Sequence, residues 1–169
     1  MPWADALYGC DWEWWKQHNG VPEFEGMKLS VDANAVKRWP GINKMELNKH
    51  DDRLELLRSG TVGWSGNSGF QAYNLAIQIF QSQSEKVRRR HKKLILIGYD
   101  MSVERGLHWH GDHPHGMNNP KAANVVRWRR CLDATAGVVD SIGIQVINCS
   151  KHSALQNFPK MSLKEAMQC

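Results

Sequence analysis

Between Gly63 and Asp100 the chain gathers residue types that can hold an anion. Gly63-Trp64-Ser65-Gly66-Asn67-Ser68-Gly69 is a turn of small, hydroxyl-bearing and amide residues, and it runs into a helical period at Ala72, Leu75, Ala76, Ile79 and Phe80. Backbone N–H groups at such a helix start, with the Ser65 and Ser68 hydroxyls, can donate to a phosphate oxygen, and the helix dipole adds roughly 0.3 to 1 kcal/mol there. An ordinary capped loop explains part of the pattern, yet the small residues exceed what capping needs. Further on, Gly98-Tyr99-Asp100 closes an apolar strand. Asp100 could take a ribose hydroxyl, a metal or a loop amide. Ser102 and Arg105 follow, and a guanidinium at 105 could pair with a phosphate.

Next comes a histidine-dense stretch, His108-Trp109-His110-Gly111-Asp112-His113-Pro114-His115. It admits three readings. An imidazole near neutral pKa could remove a proton from an acceptor hydroxyl, worth roughly a hundredfold to ten-thousandfold in rate. His108, His110 and Asp112 alternate, so an extended strand would turn all three to one face as ligands for Mn, Fe or Zn. Finally, Gly111 and Pro114 could make this a rigid surface loop whose histidines bond backbone or attract phosphate. His18, His50, His91 and His152 are isolated in sequence and carry only a structural expectation.

The elements that must position these residues alternate. The pattern predicts strands at 6–8, 27–31, 44–47 and 61–62, a fully apolar strand at 94–98 buried on both faces, and another at 142–147. Helices are expected at 12–18 with Asp11 as N-cap, at 33–38 ending before Pro40, and at 69–82. Another, opened by Asn119-Pro120, carries Val125, Trp128, Leu132 and Ala136 and is capped by Gly137. Strands alternating with helices at this spacing imply a right-handed parallel α/β sheet. Three strand ends then deliver Ser65 to Ser68, Asp100 and Asn148 to Ser153, with Ser150 between, onto one carboxyl edge, where open sheets bind ligands.

Composition narrows the classes. The 169 residues, 41% hydrophobic, suit one domain spanning 1–169 with a core that needs neither disulfides nor metal. Four cysteines, Cys10, Cys131, Cys149 and Cys169, show no CxxC spacing, which fits a reducing compartment and argues against structural zinc. No apolar run reaches about 18 residues and no leader pattern starts the chain, so a cytoplasmic protein without a membrane partner is expected. Much of the +5 charge sits in the run from Lys86 to Lys93, read as a solvated loop rather than a nucleic-acid patch. Trp12, Trp14 and Trp15, with Trp3 and Trp39, read as core or an oligomer contact more than as base-stacking platforms.

The residues also carry a resemblance. Ser68-Gly69 opening a helix, Ile95-Leu96-Ile97-Gly98-Tyr99-Asp100, the histidine loop, Val146-Ile147-Asn148-Cys149-Ser150, Ser153-Ala154-Leu155 and Phe158-Pro159 resemble a group of short bacteriophage proteins. These are similar to the Rossmann-like domain that includes the 6-hydroxymethylpterin diphosphokinase-like (MptE-like) proteins. The likeness spans nearly the whole chain from Pro2. Over about residues 61 to 158 the chain is more remotely similar to bacterial CMP-sialic-acid-dependent sialyltransferases.

The resemblance implies a three-layer, Rossmann-like open parallel sheet flanked by helices, a nucleotide held by Asn67, Ser68 and Gly69, and a cleft lined by Gly98 and Asp100. It implies His113, or His110 with a slipped alignment, as general base, and a far wall at 149–153. The transferases place a tyrosine two residues after the aspartate; this chain has Ser102 there, while Tyr99 precedes it. A first strand with a G-x-G-P-S-like loop is implied ahead of Met1, so it lies upstream or is lacking.

Two functions follow as expectations. One is a transferase using a nucleotide or nucleotide-sugar donor, with no certain cofactor beyond an optional divalent Mg or Mn. The other is a binder that keeps a nucleotide without turning it over, for example by sequestering a nucleotide immune signal in the cytoplasm of an infected host. A homo-oligomer is expected, since a domain short of its first strand leaves a sheet edge or apolar surface to cover. Nucleic-acid binding through Arg88 to Lys93 is the less favoured third class, and implies affinity that falls steeply with salt.

Overall fold

The computed structural model describes residues 3–90, 93–104, 106 and 119–168. Arg105, His108, His110, Asp112 and His113 lie outside the described residues, as do His91 and His115. The protein is mixed α/β. In chain order the elements are β1 (Ala6–Tyr8), α1 (Trp12–Gln17), β2 (Met27–Ser30), α2 (Ala33–Arg38), β3 (Ile42–Lys44), β4 (Glu46–Asn48) and β5 (Thr61–Gly63). There follow α3 (Ser68–Ser82), α4 (Glu85–Arg90), β6 (Lys93–Leu96), α5 (Ala122–Asp133), α6 (Ala136–Ser141), β7 (Gln145–Asn148) and α7 (Leu163–Gln168).

Every strand pair among the described residues is parallel, in three small sheets ordered β1-β2-β3, β4-β5 and β6-β7. The expected strand at 44–47 is two short strands. Its pairing changes partner at Met45, whose N–H donates to Ser30 O, while the Glu46 N–H donates to Gly60 O. One extended segment therefore links β2 on one side to β5 on the other.

Three apolar clusters fill the interior. The largest joins Phe70, Tyr73 and Ile77 of α3 to Leu96, Leu132, Val139, Val146, Leu155 and Phe158. A second packs Leu29, Met45 and Val62 against Leu75. Helix α3 thus lies between two clusters, which corrects the expected stripe: Phe70, Tyr73, Asn74 and Ile77 are buried, while Ile79 is exposed. A one-sided period could not show a helix buried on two sides.

The tryptophan cluster is the third, with Trp15 wholly buried beside Ala35 and Ile42, and Trp12, Trp14 and Trp39 packed around them. Trp15 Nε1 donates to Gly9 O at 3.0 Å, and the Ser30 hydroxyl donates to the same carbonyl at 2.7 Å. The end of β1 is pinned where its next residues, Cys10 and Asp11, must project. Trp3 stays outside the cluster, 78% exposed.

Other expectations need correction. The basic run is helical over Glu85–Arg90, since long straight-chain residues without Gly or Pro favour a helix and charge alone had suggested a loop. The strand at 94–98 ends at Leu96, and Ile97 is 63% exposed, because Gly98 turns the chain at φ +78°. Gly137 lies inside α6 and caps nothing; Gly143, at φ +78°, does that work. Its N–H donates to Asp140 O while Ile144 N–H reaches back to Val139 O, closing α6 in a Schellman arrangement and starting β7 only at Gln145. Helix α7 was not anticipated. Among the described residues no helix is long and apolar enough to cross a membrane.

Candidate functional site

The residues just after β1, β5 and β6, one strand from each of the three sheets, line one cavity of about 730 Å³. Cys10 and Asp11 come from the first, Gly66 to Gly69 from the second and Gly98 to Val103 from the third, while Asn119 to Lys121, Asn124, Val125 and Trp128 close the remaining side from the start of α5.

The turn after β5 is built for a close approach. Ser65 and Gly66 both have positive φ, 41° and 70°, which swings the chain sharply into α3. Asn67 is the N-cap, its Oδ1 accepting the Phe70 N–H at 2.9 Å, so its side chain serves the helix. Among the described residues no acceptor takes the Ser68 or Gly69 N–H, and both residues lie on the cavity wall. A Cβ on Gly69 would stand 2.9 Å from Asn67 Oδ1, so a side chain there would displace the capping amide. Ser65 lies behind the wall, fully buried, with a hydroxyl that finds no partner among the described residues.

Tyr99 ties its own loop to the turn after β5 and to the loop after β7. Its hydroxyl donates to Gly69 O at 2.8 Å, its N–H to Ser150 Oγ at 2.8 Å, and its carbonyl accepts from Ser153 Oγ at 2.6 Å. Burial pushes the Tyr99 hydroxyl far above its ordinary pKa, which keeps it a donor. Asn148 completes the link by donating to Ser153 Oγ and accepting the Ser150 N–H. The sequence reading set Asn148, Ser150 and Ser153 on the wall. The structure instead engages their polar atoms inside the protein, holding the loop that carries Gly98, Tyr99, Asp100 and Ser102. Tyr8 does the same from β1: its hydroxyl donates to Gln71, whose amide donates to Trp64 O.

The wall's charges are mixed. Among the described residues lining the cavity, Lys121 is the one cation and Asp11 and Asp100 are the anions. Asp11 occupies the N-cap position of α1 but makes no cap bond; its Oδ2 accepts from Cys10 Sγ at 3.4 Å. Burial, reinforced by the Asp11 charge, raises the Cys10 thiol to about 12, so it stays protonated and is no nucleophile at neutral pH. Ser102 accepts the Glu104 N–H.

No family model, curated protein or solved structure matches this chain. The roles of its residues therefore rest on geometry. Among the described residues no cluster of three or more His, Cys, Asp or Glu could hold a metal ion, and the His108, His110 and Asp112 set lies outside them. Reading the sequence missed Cys10 and Asp11, although the strand-end rule that found Asp100 applies equally to the end of β1. It also missed Asn119, Lys121, Asn124 and Trp128, which reach the cavity only because α5 folds back over it.

Proposed function

We propose that the chain binds a nucleotide or nucleotide-sugar in this cavity, with a phosphate over the Ser68 and Gly69 amides. The supporting observation is that Ser68 and Gly69, whose N–H groups are unclaimed among the described residues, line a hollow of small-molecule size. Asp100, Asp11, Asn119 and Asn124 supply partners for sugar hydroxyls or base edges, Trp128 an aromatic wall, and Lys121 a cation. A Rossmann-like, three-layer sheet is the architecture that best accommodates uniformly parallel pairs whose ends meet at one site.

Transfer to an acceptor would further need a base, for which His110 or His113 is the candidate. Retention without transfer, as in a protein that sequesters a nucleotide signal, is the second reading. It draws support from Ser102, which lines the cavity where the transferases that the chain resembles carry a tyrosine.

A panel of CMP-, UDP- and ADP-linked compounds and cyclic nucleotides tests both. A ligand present at a hundred times its Kd adds about 2.7 kcal/mol. For a chain of this size that raises the melting temperature by roughly 5–10 °C. Chromatography of the same samples separates transfer, which consumes the ligand, from retention, which leaves it intact. No shift with any compound overturns the nucleotide reading.

A further inference from the structure

Arg127 stands on α5 beside the cavity-lining Asn124 and Trp128 but is not itself on the wall. Its Nε donates to Asp52 Oδ2 at 3.0 Å and its Nη2 to Asp52 Oδ1 at 2.7 Å, a two-pronged grip on the loop between β4 and β5. Its Cζ lies 4.3 Å from the centre of the Trp64 ring. Its remaining nitrogen, Nη1, flanks Gly66: a Cβ added there would come within 3.4 Å. One planar guanidinium therefore touches the residue after β5, the turn that leads into α3, and the loop behind both. These are the backbone segments that aim the Ser68 and Gly69 amides, and α5 supplies the opposite wall.

We propose that Arg127, held by Asp52, is a positioning residue for the cavity: it fixes the spacing between the start of α3 and the α5 wall. The inference rests on the nucleotide reading above. The Arg127 bonds hold the Asp52 carboxyl below its ordinary value. A lysine keeps the charge but has neither the fork nor the flat face that lies on Trp64.

Two variants and two readouts test this. Arg127→Lys is the conservative change, and Asp52→Asn leaves the guanidinium in place while weakening its anchor. Amide hydrogen exchange is measured on the free proteins, and CMP and AMP affinity by calorimetry. In Arg127→Lys, exchange of the Phe70 and Gln71 amides, which are bonded to Asn67 at the end of the turn, is expected to quicken about tenfold or more while that of β2 stays unchanged, and nucleotide affinity to fall about tenfold. Asp52→Asn should shift both readouts in the same direction by less.

Unaltered exchange at Phe70 and Gln71, or affinity equal to wild type despite a lowered melting temperature, overturns the positioning role and leaves a merely structural ion pair. Failure of the wild type to bind either nucleotide instead counts against the reading the inference rests on. That failure is visible separately from the exchange result.

Discussion

Replacing Ser68 by Trp is expected to abolish nucleotide binding while leaving the free protein folded. Ser68 is the first residue of α3, solvent-exposed and on the cavity wall, so an indole there has room in the empty protein. A surface change of this kind moves stability by no more than about 0.5 kcal/mol. The same indole would stand where a phosphate must sit to reach the Ser68 and Gly69 amides. Affinity is expected to fall by about a hundredfold or more, equivalent to about 2.7 kcal/mol, and the ligand-induced rise in melting temperature to vanish. Ser68→Gly, which keeps the amide and the helix start, should retain most of the binding. Undiminished affinity in Ser68→Trp would mean that the ligand sits elsewhere.

The second large effect is on stability. Asn74→Leu replaces a wholly buried amide with an apolar group of similar shape. Asn74 Oδ1 accepts the Glu55 N–H at 2.9 Å and the Gly63 N–H at 2.8 Å, and its Nδ2 donates to Glu55 O at 2.9 Å. Gln78 also donates to Glu55 O, so that carbonyl keeps a partner; the two N–H groups do not. Each stranded donor costs about 1–3 kcal/mol, giving a loss of about 2–6 kcal/mol. For a chain of this length the melting temperature should drop by roughly 5–20 °C.

The consequence reaches the site, because Gly63 is the last residue of β5 and Asn74 is what fastens it to the loop at 55. Gly63 has no slack of its own, since an added Cβ would fall against Arg53 O. Chemical denaturation of the variant measures the loss. A change below about 1 kcal/mol would show that the amide does not hold these segments together.

What the sequence displayed and what it concealed divide along physical lines. Short alternating or apolar segments bounded by Gly, Pro or Asn were legible: the pattern placed β1, α2 and β5 within a residue or so, and the Gly/Ser/Asn turn pointed to the start of α3. Helix caps were less so. Gly137 and Gly143 look alike in sequence, and only the backbone at 143, where two N–H groups return to α6, tells them apart.

The harder failure concerns polar residues at strand ends. Asp100 and Asn148 both follow apolar runs in the sequence, yet one lies beyond β6 and lines the cavity while the other is the last residue of β7, 1% exposed and bonded to its own loop. Residue type and spacing cannot distinguish a group offered to a ligand from one that braces the loop offering it. Nor could they show Arg127 meeting Asp52, because that contact joins elements 75 residues apart.

Heteronuclear NMR of the assigned protein, titrated with whichever of CMP and AMP binds, follows the amides at the start of α3 one by one. The Ser68 and Gly69 N–H resonances are expected to move most, alongside smaller changes at 98–103 and 119–128, with saturation at the affinity found by calorimetry. Saturable binding that leaves both of those amides unmoved would contradict the phosphate seat and, with it, the function proposed for this cavity.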